Sequence, residues 1–328
     1  MMIDFDIGKE RLNNYLGAEK KTTVLYNDEI YMLKYPDPVR ASKIKGSLSY
    51  KNNQFSEHVG CSVFRSCGFN TQETVLGYFT DNSGKRKIVV GCKDFTQQGG
   101  SFYEAKKLQN QSSVDHSVVR PSLDDVYAAI NENPVIPNKQ EILDGFWDMF
   151  VIDCLIGNGD RHMGNWGIIV KDGTIELAPV YDCGSSLGAL LSDDEMAELL
   201  EMPQQFKNIN FNKVSCYQAG GKKIFYHEIF KNPPEDLKEA IKRIVPKIDM
   251  TEIYGIVDSV PEMSDIRKEY LKKAINLRYA QILAPALKRE LANEQEKPSV
   301  IDQIHEHQQK IAQTPHRESG KKHEPETR

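Results

Sequence analysis

Two hydrophobic patterns divide the chain, and the first predicts a small sheet. Apolar and polar residues alternate in four short runs bounded by turn residues, which is typical of β-strands; the runs are residues 22–26, 30–35, 74–80 and 87–92. Between the second and third runs, Phe55, Val59 and Val63 recur at helical spacing behind Asn53, which predicts one helix with Asn53 as its N-cap. Residues 1–95 therefore predict a mostly antiparallel sheet with one helix.

The second pattern, from residue 96 onward, predicts a mainly helical region. Start signals and apolar spacing predict helices over residues 122–130, 193–201, 234–244, 250–257 and 263–292. A further helix is predicted to open at residues 138–141, to carry apolar residues over 142–155 and to end at Gly157. A hairpin is expected among them, with strands 166–170 and 175–177 joined by Asp172-Gly173. Residues 185–225 otherwise predict loops. The chain thus predicts an α+β fold in two parts, 1–95 and 96–292, followed by a disordered or loosely helical polar tail, 293–328.

Composition narrows the class of protein. With 328 residues, 39% hydrophobic and 27% charged, the chain matches a globular protein too large for one small core. A net charge of -5 argues against nucleic-acid binding by bulk electrostatics, and no run of about 18 apolar residues predicts a membrane span. The six cysteines are scattered without a Cys-x-x-Cys pair, so we expect them to be reduced thiols. The N-terminus lacks a secretory signal pattern, so we expect a cytoplasmic protein, although export by a route that uses no N-terminal signal stays open.

Chemistry-bearing residues lie at the two ends of the predicted hairpin. Asp160 and Asn165 stand in a turn rich in glycine, asparagine and histidine, and Asp182 stands between an apolar run and Gly184. A hairpin brings its two ends together, so these three side chains can share a site. Phosphoryl transfer needs one carboxylate set apart, here Asp160, and two oxygen ligands that can share a metal ion, here the amide of Asn165 and the carboxylate of Asp182. A turn serving only as a connector is the alternative.

Two further charged residues come from the predicted sheet and its helix. Lys34 shares a strand face with Ile30 and Met32, and Glu57 lies just off the apolar stripe of the helix. A lysine reaching solvent from a sheet edge and an exposed helix glutamate would be unremarkable. Alternatively, Lys34 is a cation held in a cleft under a nucleotide, and Glu57 holds it in place.

These residues carry a resemblance to a known family. The run Gly-Asp-Arg-His-Met-Gly-Asn at 159–165, followed by Tyr-Asp-Cys-Gly at 181–184, resembles the catalytic and metal-binding motifs of the HipA-like serine/threonine kinases. It is similar also to the phosphoinositide kinases, which share the Asp-Arg-His order. The resemblance extends over residues 10–285 and is strongest to small bacterial members of the HipA-like class. It implies a two-lobed, protein-kinase-like fold with a small sheet lobe and a larger helical lobe.

The resemblance also implies a role for each site residue. Asp160 would accept the hydroxyl proton or orient the hydroxyl, and His162 would brace the turn or serve as a structural hydrogen-bonding residue. Asn165 and Asp182 would hold Mg²⁺. The nucleotide-binding residues would be the phosphate ligand Lys34, its anchor Glu57, the hinge Lys93, Asp94 and Phe95, and the phosphate-covering loop around Gly17 and Ala18, which lacks a Gly-x-Gly-x-x-Gly pattern.

The expected function is that of an ATP-dependent serine/threonine protein kinase that uses Mg²⁺. Its partners would be a protein substrate and, if it acts as a toxin or effector, an antitoxin or a host target. A small-molecule or lipid kinase and a catalytically silent nucleotide-binding module stay open as alternatives. The sequence lacks a Walker motif, which argues against a P-loop enzyme. It does not select an autophosphorylation site among Ser47, Ser49, Ser185 and Ser186.

Overall fold

The structure is a computed structural model that describes residues 2–12, 21–36, 52–81, 83–108 and 120–296. Residues Met1–Leu287 form one compact unit, and Lys288–Arg328 form a second. All of the described sheet structure belongs to the first unit. No helix in these described ranges is long and apolar enough to cross a membrane.

The N-terminal part is a six-stranded sheet with one helix. Its strands are β1 (Ile3–Asp4), β2 (Lys9–Arg11), β3 (Lys21–Tyr26), β4 (Glu29–Lys34), β5 (Thr74–Thr80) and β6 (Arg86–Lys93). They lie in the order β1-β5-β6-β4-β3-β2; the β1–β5 pair is parallel and the other pairs are antiparallel. Helix α1 (Asn53–Ser66) contacts β5 and β6. The predicted N-cap was wrong by one residue, because Asn53 is already helical and Asn52 takes the cap position.

The two faces of the sheet bury different residues. Tyr31, Leu33 and Tyr35 on β4 and just after it join a small core with Phe5, whereas Met32 packs against the main core that includes α1. Because side chains alternate along a strand, Lys34 lies on the Met32 side. The predicted division of β4 into two faces is therefore what the structure has, and Lys34 faces α1.

Phe5 anchors the start of the chain, which the sequence pattern did not predict to be structured. Its ring is fully buried and lies where β5 and β6 carry Gly77 and Gly91. A Cβ atom at Gly91 would lie 2.4 Å from the ring, and one at Gly77 would lie 2.6 Å from it. These two glycines therefore leave the space that Phe5 fills.

The C-terminal part contains most of the helices and two small sheets. The helices are α2 (Leu123–Asn131), α3 (Lys139–Ile156), α4 (Asp193–Leu200), α5 (Pro203–Phe211), α6 (Tyr226–Ile229), α7 (Glu235–Ile244), α8 (Met250–Ser259), α9 (Asp265–Arg278) and α10 (Ala284–Glu296). The strands are β7 (Ser101–Glu104), β8 (Gly167–Lys171), β9 (Thr174–Leu177), β10 (Val214–Ala219) and β11 (Lys222–Phe225). Strand β8 lies between β7 and β9, and β10 pairs with β11. Helix α3 contacts α1, α2, α7 and α9 and forms the centre of this part.

Two stretches differ from the sequence prediction. Residues 185–225 hold α5 and the β10–β11 hairpin, not only loops and one helix; Gly220 and Gly221 supply the positive φ angles of the hairpin turn. The single helix predicted over 263–292 is interrupted by a π-helical turn at Tyr279–Leu283. Pro285 has no N–H for the preceding turn, and a wider turn accommodates that loss.

Candidate active site

Lys34 is the centre of a buried ion cluster. Its side chain is 2% exposed, and its Nζ atom donates to Glu57 Oε2 at 2.7 Å and to Asp182 Oδ1 at 2.6 Å. The three charges come from β4, from α1 and from the segment after β9. The structure thus brings together three of the predicted site residues, although they are far apart in sequence.

Glu57 joins α1 to the turn that carries Asp182. Its carboxylate is fully buried, and Oε1 accepts a hydrogen bond from the main-chain N–H of Cys183 at 3.1 Å. A Cβ atom at Gly60 would lie 2.5 Å from Cys183 Cβ, so glycine allows this close approach. Asp182 has a φ of +56°, a left-handed conformation that directs the chain sharply around its carboxylate.

Asp160 and Asn165 lie in the loop that follows α3. Gly157 ends α3 in the left-handed conformation, with a φ of 67°, as its position in the sequence predicted. The amide nitrogen of Asn165 donates to the main-chain carbonyl of Asp160 at 2.8 Å, which leaves the amide oxygen as the end able to bind a cation. The carboxylate of Asp160 accepts from the hydroxyl of Ser185 at 3.1 Å. The loop of Asp160 therefore contacts the segment that follows Asp182.

Arg161 holds the two segments side by side. Its buried guanidinium donates to the carbonyl of Asn165 at 2.9 Å, to the carbonyl of Tyr181, and to Cys183 Sγ at 3.4 Å. Two further bonds, of 3.0 and 3.1 Å, go to the carboxylate of Asp153 on α3. One side chain thus fixes the main chain next to both Asn165 and Asp182.

The residues that support Arg161 and its loop were not predicted from the sequence. Asp153 is fully buried in α3 and also accepts from the amide of Asn158 at 2.9 Å. The carbonyl of Asn158 accepts from the hydroxyl of Tyr226 at 2.6 Å. An acidic residue within the most apolar stretch of α3 was the available signal for Asp153, because a buried carboxylate needs a partner. Nothing local marks Tyr226, which lies on the short helix α6.

The ion cluster determines the charge of Asp182. Burial alone would raise the pKa of the Asp182 carboxyl, because a carboxylate loses water when it is buried. The Lys34 ammonium opposes this effect most strongly, and Lys21 and Arg161 add smaller effects; together these cations outweigh burial and lower the pKa of Asp182 to about 2. Asp182 is therefore ionised near neutral pH, which is the form that binds cations.

The oxygen donors fit a magnesium ion only if phosphate and water complete the coordination. Asn165 offers an amide oxygen and Asp182 offers a carboxylate. Within the part of the chain that the structure describes, no group of three or more His, Cys, Asp or Glu side chains could hold a metal ion. Mg²⁺ commonly binds through one or two protein ligands together with substrate phosphates and water. The donor set is therefore suited to a metal ion that arrives with a phosphate ligand.

The remaining predicted site residues have mixed placements. His162 is exposed, and its Nδ1 accepts from the Gly164 N–H at 3.0 Å, so it contacts its own turn. In the predicted hinge, the N–H of Lys93 donates to Glu73 and that of Asp94 to Ile30, while the Phe95 ring lies 6.0 Å from the Tyr181 ring, next to Asp182. Gly17 and Ala18 lie outside the described residues. The roles given to these residues stay predictions.

Comparison with known proteins gives a consistent picture. The family model described as the HipA-like C-terminal domain matches residues 15–251. The chain is 36% identical to the serine/threonine-protein kinase CtkA of Helicobacter pylori strain J99 over 270 residues. The matched region covers 80% of each sequence. It is also similar to the crystal structure of a Helicobacter pylori proinflammatory kinase CtkA, with 33% identity and a TM-score of 0.79 over 91% of this chain and 100% of that one.

A more distant likeness is to HipA of Shewanella oneidensis, solved with HipB and operator DNA, at 14% identity and a TM-score of 0.47 over 88% of this chain and 70% of that one. The match to the solved CtkA structure confirms the predicted α+β, kinase-like fold, and the family match confirms the resemblance seen in the motifs. The lobe boundary after residue 95 stays a prediction.

Proposed function

This chain belongs to the family of HipA-like C-terminal domains, and on that premise we propose that it is an ATP-dependent serine/threonine protein kinase. The observation that carries the proposal is the buried Lys34–Glu57–Asp182 cluster, which a hydrogen-bonded turn links to Asp160. A cation, an ionised carboxylate and a separate carboxylate are the groups that position a triphosphate and a hydroxyl. The relative CtkA, 36% identical, is named a serine/threonine-protein kinase, which supports a protein as the acceptor.

The chain's own residues divide the reaction between them. Asp160 accepts the proton of the acceptor hydroxyl, or orients that hydroxyl. The oxygen of the acceptor hydroxyl then forms a bond to the γ-phosphorus of ATP. The bond from the γ-phosphorus to the bridging oxygen breaks, and ADP leaves. Lys34 binds the phosphates through its ammonium, and Glu57 keeps that ammonium in place through the 2.7 Å ion pair. Catalysis then rests mainly on positioning and on neutralising phosphate charge.

Asn165 and Asp182 would hold Mg²⁺ in this proposal. When bound, the ion would neutralise charge on the phosphate oxygens. Asn165 is oriented for this role by its hydrogen bond to the Asp160 carbonyl, and Asp182 by its turn and its negative charge. Asp182 must share its carboxylate between the ion and Lys34, so a metal ion and a phosphate would replace part of the direct ion pair.

Transfer of radiolabel from ATP, in the presence of Mg²⁺, tests the proposal. The full chain is incubated with a generic protein and, separately, with a lipid mixture. Label in protein supports the proposal, label in lipid favours a lipid kinase, and nucleotide binding without transfer favours a silent module. The last two outcomes contradict the proposed function.

Two variants separate catalysis from binding. Asp160→Ala should abolish transfer and spare ATP affinity, because Asp160 acts on the acceptor hydroxyl. Asp182→Ala should also lose the Mg²⁺-dependent part of nucleotide affinity, measured by calorimetry with and without Mg²⁺. As a control, Asp172→Ala changes an exposed hairpin-turn residue and should leave both quantities unchanged. Near-normal turnover in Asp160→Ala would show that Asp160 neither accepts the proton of the acceptor hydroxyl nor orients that hydroxyl.

We also propose that the protein acts in the cytoplasm of the cell that produces it. All six cysteines are free and buried, which supports a reducing compartment. A role as a toxin or effector, with an antitoxin or a host protein as partner, stays a prediction.

A further inference from the structure

Ser185 contacts the carboxylate of Asp160 and belongs to none of the roles assigned above. Its Oγ atom lies 3.1 Å from Asp160 Oδ2, and the side chain is half-buried. The two residues are 25 positions apart in sequence. Ser185 stands three residues after Asp182, so one short turn carries both the proposed metal ligand and this hydroxyl.

The turn that presents Ser185 is anchored on several sides. The N–H of Cys183 donates to Glu57 of α1 at 3.1 Å, and the N–H of Leu187 donates to the carbonyl of Ile156 at the end of α3 at 3.1 Å. Arg161 donates to the Tyr181 carbonyl just before the turn. The position of the Ser185 hydroxyl is therefore set by α1, by α3 and by the loop of Asp160 itself.

Asp160 has separate contacts for its main chain and for its carboxylate. Its N–H donates to Asn158 Oδ1 at 3.1 Å, and its carbonyl accepts from Asn165 at 2.8 Å. These bonds place the main chain, and the bond from Ser185 orients the carboxylate. A hydroxyl donating to Oδ2 keeps its own proton, and a carboxylate accepts several hydrogen bonds, so the acceptor hydroxyl can donate to Asp160 while the Ser185 bond is present.

We propose that Ser185 is a positioning residue that directs one oxygen of Asp160 toward the acceptor hydroxyl. This inference rests on the proposed kinase function. Because Ser185 shares a turn with Asp182, the orientation of the Asp160 carboxylate depends on the same turn that places Asp182, the proposed metal ligand. The acceptor proton still goes to Asp160, and Ser185 takes no part in bond making.

Steady-state kinetics of the full chain with Mg²⁺-ATP and a generic protein acceptor tests the role. Ser185→Ala should lower kcat about tenfold, the usual effect of losing a hydrogen bond to a charged group, with the KM for ATP changed less than about twofold. Ser185→Thr keeps the hydroxyl and should restore most of kcat. In an Asp160→Ala background, Ser185→Ala should not change ATP affinity or restore any transfer, because its target is gone.

Ser186→Ala is the matched control. The neighbouring hydroxyl donates to the carbonyl of Cys183, which also accepts from the Ser186 N–H, so its removal should leave kcat and KM unchanged. Equal kcat values for Ser185→Ala and Ser186→Ala would overturn the inference, as would a matching rise in the KM for ATP. Phosphate found on Ser185 by mass spectrometry would show that Ser185 is itself a phosphoryl acceptor, and would also overturn the inference that it is a positioning residue. If the wild-type chain transfers nothing to protein, the proposed function fails and this inference fails with it.

Discussion

The ammonium of Lys34 balances two carboxylates in a place with little water. Glu57 is fully buried and Asp182 is 29% exposed. Removing one partner from a buried ion cluster leaves uncompensated charge, which commonly costs about 3–5 kcal/mol. We therefore expect Lys34→Met to lower the free energy of unfolding by about that amount, measured by urea denaturation without nucleotide.

A second change should restore part of this loss. In Lys34→Met/Glu57→Gln, one of the two uncompensated carboxylates is neutral, so the double variant should be more stable than Lys34→Met alone. Lys106→Met is the control, because Lys106 is 59% exposed in its ion pair and should change stability by less than about 1 kcal/mol. Equal loss in all three variants would mean that the cluster has no special energetic role.

The low pKa of Asp182 predicts a change of stability with pH. Burial opposes this shift and the Lys34 ammonium causes it, lowering the pKa from 3.8 to about 2. A carboxyl with a lowered folded-state pKa stabilises the fold above its unfolded pKa and loses that effect as the pH falls through the folded value. The stability difference between wild type and Asp182→Asn should thus shrink by up to about 2 kcal/mol from pH 5 to pH 2, as measured by denaturation at each pH. A pH-independent difference would contradict the ion pair.

At the scale of elements, the N-terminal segment depends on one ring. Phe5 is fully buried against Gly77 and Gly91, and its ring also lies 5.5 Å from that of Tyr31. Phe5→Ala should therefore destabilise the protein by about 3–5 kcal/mol, the usual range for a buried aromatic residue. Ile7→Ala, at a side chain 75% exposed, should change the midpoint of thermal unfolding little. A small effect at Phe5 would show that β1 adds little to the sheet.

Elements with enough positions to display a period could be predicted, and short ones could not. Strand β5 lies at Thr74–Thr80, as predicted, because alternation and the Asp81 turn mark both of its limits. Strands β1 and β2 have two and three residues, too few to show a period of two. Their pairing depends on Phe5 and on glycines far away in sequence. Strand β7 lies in a polar stretch, where its pairing with β8 overrides weak local preference.

The site shows the same division between local and distant information. Asp160, Asn165 and Asp182 could be predicted to lie near one another because the β8–β9 hairpin joins their segments. Strand alternation placed Lys34 on the face that meets Glu57. Asp153 was not identified, and Ser185 was named only among the serines considered for autophosphorylation, because the partners of both residues become neighbours only after α3, the loop and the Asp182 turn pack together.

For the molecule as a whole, Arg161 joins the elements that form the site. It connects α3, the loop of Asn165 and the turn of Asp182 from a position that is 3% exposed. Burial alone would lower the pKa of its guanidinium, but Asp153, together with Cys183, more than reverses that effect, so Arg161 stays charged. The buried guanidinium of Arg161 therefore holds three parts of the chain together. The carboxylate of Asp153 is its acidic partner.

Removing that carboxylate should affect stability far more than removing a similar one nearer the surface. Asp153→Leu leaves the Arg161 charge buried without its acid, and we expect a loss of about 3–5 kcal/mol in the free energy of unfolding. Asp148, on the same helix, pairs with Arg243, whose side chain is 36% exposed, so Asp148→Leu should cost no more than about 1 kcal/mol. In Asp153→Leu/Arg161→Met the charge is gone as well, and much of the loss should be recovered, because an apolar pair can replace a buried ion pair. Chemical denaturation of the three variants measures these differences. If the double variant is as unstable as Asp153→Leu, the bonds from Arg161 to the Asn165 and Tyr181 carbonyls stabilise the fold more than the ion pair does.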